Sequence, residues 1–438
     1  MGTIKLVTAV PGPRSTEIVE RHKKVVSDAY DLNLPVVIAE GHGASFTDVD
    51  GNVFLDFATG VGPNLLGHSH PRVVEAVLDQ ARRFSHTDYA VVPYESFVEL
   101  GERLVRMTGR TGDKVALFNS GAEAVENAVK LARAATGRTG IITFERAFHG
   151  RTLMALTLTS KQKPYKSGFG PFAPEVYRVP FPYPYRSEDP HRAGAEALAA
   201  LESAFVTHVD PSQVAAVIVE PIQGEGGFVV PPRDFLPGLR SICERHGIVL
   251  IADEVQSGCG RTGRFLASEH FGVEADMVIL AKALASGYPL SAVVARPELM
   301  DVGSGRIGGT YVGNPVACAA ANAVLGVLED EGLMERALEI EKRIGSAWEE
   351  AGGEVAEIGE VRGIGAMMAV EFVTDRESKT PNRELVRRIL DEAGRRGLVA
   401  LSAGIDGNVI RHLVPLIISD DDLDEGLDIL TSAARSQR

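Results

Sequence analysis

The strongest constraint on the fold is a series of short apolar runs between about residue 110 and residue 300. Helical patterns separate these runs, which are Val115–Phe118, Ile141–Phe144, Val214–Val219, Ile248–Ala252, Met277–Leu280 and Ser291–Ala295. Because the runs are apolar throughout rather than at alternate positions, they are typical of strands covered on both faces. Strands that alternate with helices favour crossover connections between parallel neighbours. The sequence therefore predicts an α/β domain with a doubly wound, mostly parallel sheet.

Both ends of the chain have a different pattern and predict a second, smaller α+β domain. Ala44–Asp56 alternates in polarity around the pair Asp50-Gly51, which is typical of a β-hairpin. After Thr310, two long helical patterns cover Pro315–Gly326 and Leu333–Glu350. We predict an N-terminal segment of the small domain over 1–70, a large domain over 71–310 and a C-terminal part of the small domain over 311–438.

Charge and composition exclude several classes of function. Lys and Arg total 45 against 59 Asp and Glu, and the net charge of −14 does not fit binding to nucleic acid or anionic membranes. The apolar runs are far shorter than a membrane span, and the first ten residues show no signal-peptide pattern. Three cysteines without a CxxC pair indicate neither a disulfide framework nor a zinc site. We expect a soluble cytoplasmic protein with no nucleic-acid partner, no membrane partner and no metal.

Two motifs resemble binding sites only superficially. Gly258–Gly263 has GxGxxG spacing, but Asp253–Ser257 separates it from the preceding strand and no acid follows at the distance that a dinucleotide site needs. His68-Ser69-His70-Pro71 offers two imidazoles, but no carboxylate or thiol completes a metal site at suitable spacing. We interpret the histidine pair as part of a turn with hydrogen-bonded side chains.

Residues suited to chemistry directly follow four of the predicted strands. Asn119-Ser120-Gly121-Ala122 begins a helix, whose N-terminal N–H groups and dipole attract an anion. Glu220, Asp253 and the pair Ala281-Lys282 follow three other runs. Ligands of open α/β sheets bind beyond the carboxyl ends of the strands. We therefore expect an anion site, two carboxylates and a lysine at one edge of the sheet.

This combination suits pyridoxal 5′-phosphate. The cofactor requires an amine that bonds its aldehyde, a carboxylate that keeps its ring nitrogen protonated and an anion site for its phosphate. Lys282, Asp253 and Ser120-Gly121-Ala122 meet these three needs. Each residue alone has an ordinary alternative, since a lysine after a strand is usually solvated and an aspartate there often caps a helix. Their combination predicts the cofactor.

Longer stretches of the chain resemble the class-III pyridoxal-phosphate aminotransferases. The matching segments are NSGAEAVENAVKLAR, AFHGRT, EPIQGEGG, IADEVQSGCGRTG, LAKAL, GGTYVGNPVACAA and NVIRHLVPL. They occur in order from about Pro13 to about Leu430. The resemblance implies fold type I, a homodimer with active sites shared between the subunits, and a ping-pong reaction.

The resemblance also implies roles for residues at the cofactor. Lys282 is expected to bond the cofactor and to move a proton between the substrate carbon and the cofactor. Asp253 is expected to pair with the ring nitrogen, Gln256 to reach the phenolic oxygen and Phe148 to stack on the ring. The other implied cofactor-binding residues are Ser120, Gly121, Ala122, His149, Glu220 and Thr310, with Thr310 supplied by the other subunit.

Two arginines are the implied ligands of substrate carboxylates, because a guanidinium binds a carboxylate through two parallel hydrogen bonds. Arg151 lies in HGRT and Arg411 in NVIRHLVP. An amino donor with one terminal carboxylate needs one arginine, and 2-oxoglutarate needs both. Glu225 resembles the switch glutamate of the family, which neutralises the second arginine while the donor is bound.

The resemblance favours transfer of an amino group from an ω-amino acid to 2-oxoglutarate, with 4-aminobutyrate as the leading donor. Acetylornithine, ornithine and 5-aminovalerate stay open as donors, as does epimerase or decarboxylase chemistry on the same scaffold. A binding protein without catalysis is disfavoured because both Lys282 and Asp253 are present. Val61 matches a substrate-contact position, but Gly60-Val61-Gly62-Pro63 and Ala403-Gly404 depart from the family pattern. The donor is therefore less well defined than the reaction type.

Overall fold

The computed structural model describes residues 2–437, which form two compact units. The small unit combines residues 2–71 with 335–437, and the large unit contains Arg72–Met334. Residues 311–334 belong to the large unit, and the prediction that they form part of the small domain is wrong, because their apolar helix packs within the large unit. Their helix, Pro315–Asp330, packs on Glu95–Met107 and on the turn Lys282–Ala285, which are both in the large unit.

Strands and helices alternate through most of the described chain. The strands are β1 (Ile38–His42), β2 (Ser45–Asp48), β3 (Val53–Asp56), β4 (Lys114–Phe118), β5 (Gly140–Phe144), β6 (Val176–Val179), β7 (Val214–Val219), β8 (Val249–Asp253), β9 (Met277–Leu280), β10 (Ser291–Ala295), β11 (Ile358–Ile364), β12 (Met367–Phe372), β13 (Leu398–Val399), β14 (Leu401–Ala403) and β15 (Val409–His412). The helices are α1 (Pro13–Val25), α2 (Pro71–Arg83), α3 (Glu95–Met107), α4 (Gly121–Thr136), α5 (Leu153–Leu158), α6 (Ala193–Thr207), α7 (Phe235–His246), α8 (Pro297–Met300), α9 (Pro315–Asp330), α10 (Leu333–Glu354), α11 (Arg383–Arg395) and α12 (Asp420–Ser436). Among residues 2–437, no helix is both long and apolar enough to cross a membrane.

The large unit is built around one sheet with the strand order β4-β10-β9-β8-β7-β5-β6. The pairs β9-β8, β8-β7, β7-β5 and β5-β6 are parallel, and β10 is antiparallel to both of its neighbours. All six runs predicted to be strands belong to this sheet. Every residue of β5, β7, β8, β9 and β10 is buried, as the continuous apolar pattern predicted.

Helices cover both faces of this sheet. On one face, α4 places Val125 and Val129 in a core that also contains Ile141 of β5. On the other face, the ring of Phe144 in β5 contacts Phe235 of α7 at a centroid distance of 5.7 Å. Because Ile141 and Phe144 are three residues apart on one strand, they point to opposite faces. The sheet is therefore enclosed, and polar groups of this part of the fold collect at the strand ends.

The small unit contains two four-stranded sheets, β1-β2-β3-β13 and β11-β12-β15-β14. The predicted hairpin in Ala44–Asp56 is confirmed, since β2 and β3 pair antiparallel with Phe46 opposite Phe54. Trp348 of α10 is fully buried, and its Nε1 donates a hydrogen bond to His412 Nε2 of β15 at 2.9 Å. This core supports β15, which also carries Arg411.

Candidate active site

The predicted anion site is the N-terminus of α4, and its backbone is held firmly in place. Ser120 caps the helix, and its Oγ accepts a hydrogen bond from the Glu123 N–H at 3.2 Å. The Ser120 carbonyl accepts a bond of 2.7 Å from Ser291 Oγ, which ties the turn to β10. A helix leaves its first N–H groups without intrahelical acceptors. The N–H groups of Gly121 and Ala122 are thus suited to hold a phosphate.

Gly121 brings this helix end against the segments that follow β8 and β9. A Cβ on Gly121 would lie 3.1 and 3.2 Å from the two methyl carbons of Val255 and 3.7 Å from the Ala281 Cβ. The two contacts with Val255 are tighter than ordinary van der Waals packing, so the close approach depends on glycine. The anion site and the residue before Lys282 are therefore neighbours.

Asp253 ends β8 as a buried carboxylate with ordered partners. Its Oδ2 lies 2.6 Å from His149 Nδ1, and its Oδ1 accepts a hydrogen bond from the Val255 N–H at 3.1 Å. His149 is buried too, and its Nε2 has no hydrogen-bond partner within residues 2–437. Buried polar atoms are normally bonded. The pair presents a fixed carboxylate that can hold a cationic ring nitrogen.

Glu220 joins two loops of the site. Its Oε1 accepts a hydrogen bond from the Phe148 N–H at 2.9 Å, and its Oε2 accepts one from the Gly224 N–H at 2.8 Å. Burial raises the pKa of Glu220 to about 7; the nearby His149 opposes this rise and Asp253 adds to it. Both carboxylate oxygens thus have backbone partners, and a direct contact of Glu220 with the cofactor stays a prediction.

Gln256 presents a buried amide at the same edge. Neither its Nε2 nor its Oε1 has a hydrogen-bond partner in the described part of the chain. A Cβ on Gly224 would collide with the amide oxygen, so the amide lies directly against the loop that contains Glu225. Leaving a buried polar group unsatisfied costs about 1–3 kcal/mol. Such a group fits a ligand that supplies the missing partner.

Lys282 begins a short helical turn, Lys282–Ala285, in an unusual backbone conformation. Its φ of +42° lies in the left-handed region, which costs an L-residue other than glycine roughly 1–2 kcal/mol. The side chain is half-buried. Helix α9 packs against this turn and fixes its position. The backbone therefore fixes the point from which the Lys282 side chain leaves the end of β9.

Phe148 and Arg151 lie on the turn FHGRT (Phe148–Thr152), and an unpredicted aromatic residue joins them. The ring of Phe148 contacts that of Tyr165 edge-on at a centroid distance of 5.2 Å. Arg151 Cζ lies 4.7 Å from the Tyr165 ring centroid and 6.0 Å from that of Phe148. Gly150, between them, has a φ of +124°, and a Cβ there would lie 2.7 Å from the Ala122 Cβ. This glycine lets the turn contact the anion site.

Four predicted residues remain to be located. Glu225 is half-buried in the loop after Glu220, and Thr310 is exposed with its carbonyl oxygen 2.6 Å from His86 Nε2. In the small unit, Val61 is half-buried with a φ of +70°, and Arg411 is buried in β15. Their substrate roles, and that of Thr310 at a partner's site, stay predictions.

The residues that the structure brings together fit pyridoxal phosphate. The helix N-terminus can bind its phosphate, Asp253 its ring nitrogen and the Gln256 amide a ring oxygen, and Lys282 can supply the amine. Sequence reasoning missed Tyr165 and the packing role of Gly150. Only the glycine had a local signal, because it precedes a helix and separates two predicted site residues. Of the two histidines predicted to be hydrogen-bonded, His68 has its Nε2 2.9 Å from Asp56 Oδ2.

Comparisons with known proteins identify the family and the fold of the chain. The family model for aminotransferase class-III matches residues 26–434. The chain is 48% identical over 404 residues to a protein of Bacillus subtilis named probable 4-aminobutyrate aminotransferase, covering 91% of this chain and 92% of that protein. It is 44% identical to a Pseudomonas aeruginosa protein named 5-aminovalerate aminotransferase, covering 90% and 92%. The crystal structure of a PLP-bound amine transaminase from an uncultivated Pseudomonas species matches with a TM-score of 0.86 at 33% identity, covering 92% of this chain and 94% of that one. The predicted fold type is thereby confirmed.

Proposed function

The chain belongs to the class-III aminotransferases, and from this premise we propose that it transfers the amino group of 4-aminobutyrate to 2-oxoglutarate. It is a pyridoxal-phosphate-dependent enzyme that acts on an amino donor and a keto acid. The observation that carries the choice of donor is the 48% identity, over 91% of the chain, to the protein named probable 4-aminobutyrate aminotransferase. The expected products are succinate semialdehyde and glutamate.

In this proposal the large unit provides the groups that act at the reacting atoms. When bound, the cofactor supplies an electron sink that stabilises negative charge at the substrate carbon. The Lys282 amine takes a proton from the donor carbon and would deliver it to the cofactor carbon that keeps the amino group. Asp253, held by His149 at 2.6 Å, keeps the ring nitrogen protonated. Gln256 donates to the phenolic oxygen through its buried amide.

Substrate binding in this proposal depends on guanidinium groups. Arg151 and Arg411 together bind the two carboxylates of 2-oxoglutarate, and 4-aminobutyrate requires only one of them. Glu225 neutralises the second arginine while the donor is bound and moves aside for the keto acid. The presence of Glu225 together with both arginines favours transamination over epimerisation or decarboxylation. Those two reactions do not require a monoacid and a diacid to bind alternately in one site.

A donor panel tests this function. Purified protein with added pyridoxal phosphate is assayed for glutamate formation from 2-oxoglutarate and 4-aminobutyrate, 5-aminovalerate, ornithine, acetylornithine or β-alanine. We expect the highest kcat/KM for 4-aminobutyrate, and no turnover by Lys282→Ala. Negligible turnover of all five donors would refute the proposal and favour an epimerase or decarboxylase.

5-Aminovalerate is the second candidate donor. It is favoured by the 44% identity to the protein named 5-aminovalerate aminotransferase and by the departure at Val61 and Pro63, which changes a predicted substrate-contact segment. A kcat/KM for 5-aminovalerate above that for 4-aminobutyrate would make 5-aminovalerate the preferred donor, and the proposed reaction type would stay the same.

We also propose that the enzyme is a cytoplasmic homodimer whose subunits share active sites through Thr310. The exposure of Thr310 supports this, as do the three cysteines, which are buried and unpaired in the described residues. Light scattering after gel filtration should give twice the 46.8 kDa of one chain. A mass of a single chain under assay conditions would contradict the shared site.

A further inference from the structure

Tyr165 occupies a position between two residues of the proposed site. Its ring lies 4.7 Å from the Arg151 guanidinium carbon and 5.2 Å from the Phe148 ring centroid. We infer that Tyr165 is a positioning residue for substrate carboxylates, because its ring fixes the guanidinium of Arg151. This inference rests on the proposed function and adds a residue to it. Tyr165 acts through Arg151 and needs no contact with the substrate.

The contact is of a kind that orients an arginine. A guanidinium over an aromatic face is attracted by the negative charge at the centre of the ring, within about 6 Å of the centroid. Arg151 is exposed, so without a neighbouring surface its long side chain would sample many rotamers. The ring restricts these before the carboxylate arrives, and the binding step then loses less entropy.

Tyr165 is itself held to the turn that carries Arg151. The next residue, Lys166, is buried, and its Nζ donates to the Thr159 carbonyl at 3.0 Å. The Thr159 hydroxyl accepts a hydrogen bond from the His149 N–H and donates one to the Gly150 carbonyl, both at 3.0 Å. These bonds join the segment of Tyr165 to the backbone just before Arg151. The ring and the guanidinium thus share one rigid support.

The ring face, and not the hydroxyl, is the part of Tyr165 that this inference requires. Tyr165→Phe keeps the face, whereas Tyr165→Leu keeps apolar volume and removes it. An exposed cation–π contact corresponds to about a two- to fivefold change in an equilibrium constant. We expect Tyr165→Leu to raise the KM for 4-aminobutyrate and 2-oxoglutarate by about two- to fivefold, with kcat within about twofold of wild type. Tyr165→Phe should match the wild type.

Butylamine provides the matched control, since it has the chain of 4-aminobutyrate without the carboxylate. Its kcat/KM should be equal in the wild type and Tyr165→Leu. Equal losses for butylamine and 4-aminobutyrate would overturn the inference, as would an unchanged KM for both carboxylate substrates or a Tyr165→Phe variant as impaired as Tyr165→Leu. If Tyr165→Leu does not fold, Tyr165→Met takes its place with the same expected values.

Binding of glutarate separates this inference from the proposed function. Glutarate is an unreactive dicarboxylate, and its binding to the holoenzyme can be followed by the change in cofactor absorbance without any turnover. We expect Tyr165→Leu to weaken glutarate binding about two- to fivefold, and to have no further effect in an Arg151→Ala background. If the wild type does not turn over 4-aminobutyrate, the proposed function fails while this measurement still decides the role of Tyr165. Additive losses in the double variant would refute that role.

Discussion

Glu220→Gln removes a buried charge and preserves the size of the side chain. In the wild type the two carboxylate oxygens accept the N–H groups of Phe148 and Gly224 at 2.9 and 2.8 Å. A glutamine offers one acceptor oxygen, which can keep only one of these two hydrogen bonds. Its amide nitrogen is a donor and cannot accept a bond from the other N–H group. The variant therefore loosens one of the two loops and eliminates the electrostatic cost of the buried carboxylate.

The size and sign of the charge effect follow from the pKa of Glu220. Burial raises that pKa from the ordinary 4.5 to about 7. Between these two values the folded protein keeps a proton that the unfolded chain has released, so the free energy of unfolding decreases as the pH rises. The contribution of this proton to the free energy of unfolding is fully present below pH 4.5 and is lost as the pH rises through about 7. At 1.36 kcal/mol per pKa unit, the difference between the folded and unfolded pKa values corresponds to about 3 kcal/mol in the free energy of unfolding.

Thermal unfolding of the wild type and the variant between pH 5 and pH 8 measures this effect. Glu220→Gln has no proton to lose, so its melting temperature relative to that of the wild type should rise with pH, by about 3–5 °C over the range. Glu99→Gln serves as the control, because Glu99 is an exposed glutamate of the large unit. Its difference from the wild type should stay constant. A Glu220→Gln difference that does not change with pH would refute the assignment of a buried, proton-linked carboxylate.

Three further substitutions test the site. Gly150→Ala places a Cβ 2.7 Å from the Ala122 Cβ at a φ of +124°. It should lower the free energy of unfolding, measured in urea, by about 2–3 kcal/mol and weaken cofactor binding. Wild-type values of both quantities would contradict the close packing. Gln256→Leu removes an unsatisfied buried amide, so the apoprotein should melt no lower than wild type while the gain in melting temperature on adding pyridoxal phosphate shrinks. An undiminished gain would exclude Gln256 as a cofactor ligand. Glu225→Ala should change the ratio of kcat/KM for ω-amino and α-amino acids, and an unchanged ratio would exclude the switch.

The large sheet could be predicted from sequence because its strands are enclosed on both faces. Burial on both faces favours apolar residues along the whole strand, and this leaves a local pattern that β5, β7, β8, β9 and β10 display. The residues at the ends of β7, β8 and β9 could be placed on one edge for the same reason. Once the strands are parallel neighbours, their carboxyl ends must coincide.

The remaining features depend on contacts between distant parts of the chain. Helix α9 has an apolar pattern that suits either unit, and only its packing on α3 and on the turn of Lys282 decides between them. Glu220 directly follows a strand at the edge where ligands bind. Its two carboxylate oxygens, however, accept hydrogen bonds from backbone N–H groups on separate loops. Tyr165 follows Pro164 in an irregular segment, and no periodicity marks its approach to Arg151.

The backbone at Lys282 has a consequence for attempts to make this enzyme more robust. Both Lys282, with a φ of +42°, and Ser286, with a φ of +43°, adopt a geometry that glycine tolerates better than any other residue. A long cationic side chain therefore stands at a position where glycine would fold with less backbone strain. A redesign scored only on thermal stability would tend to replace the lysine by glycine, and under the proposed function the product would be stable but inactive. Position 282 must therefore be held constant in any such search, with improvements sought at residues remote from this turn.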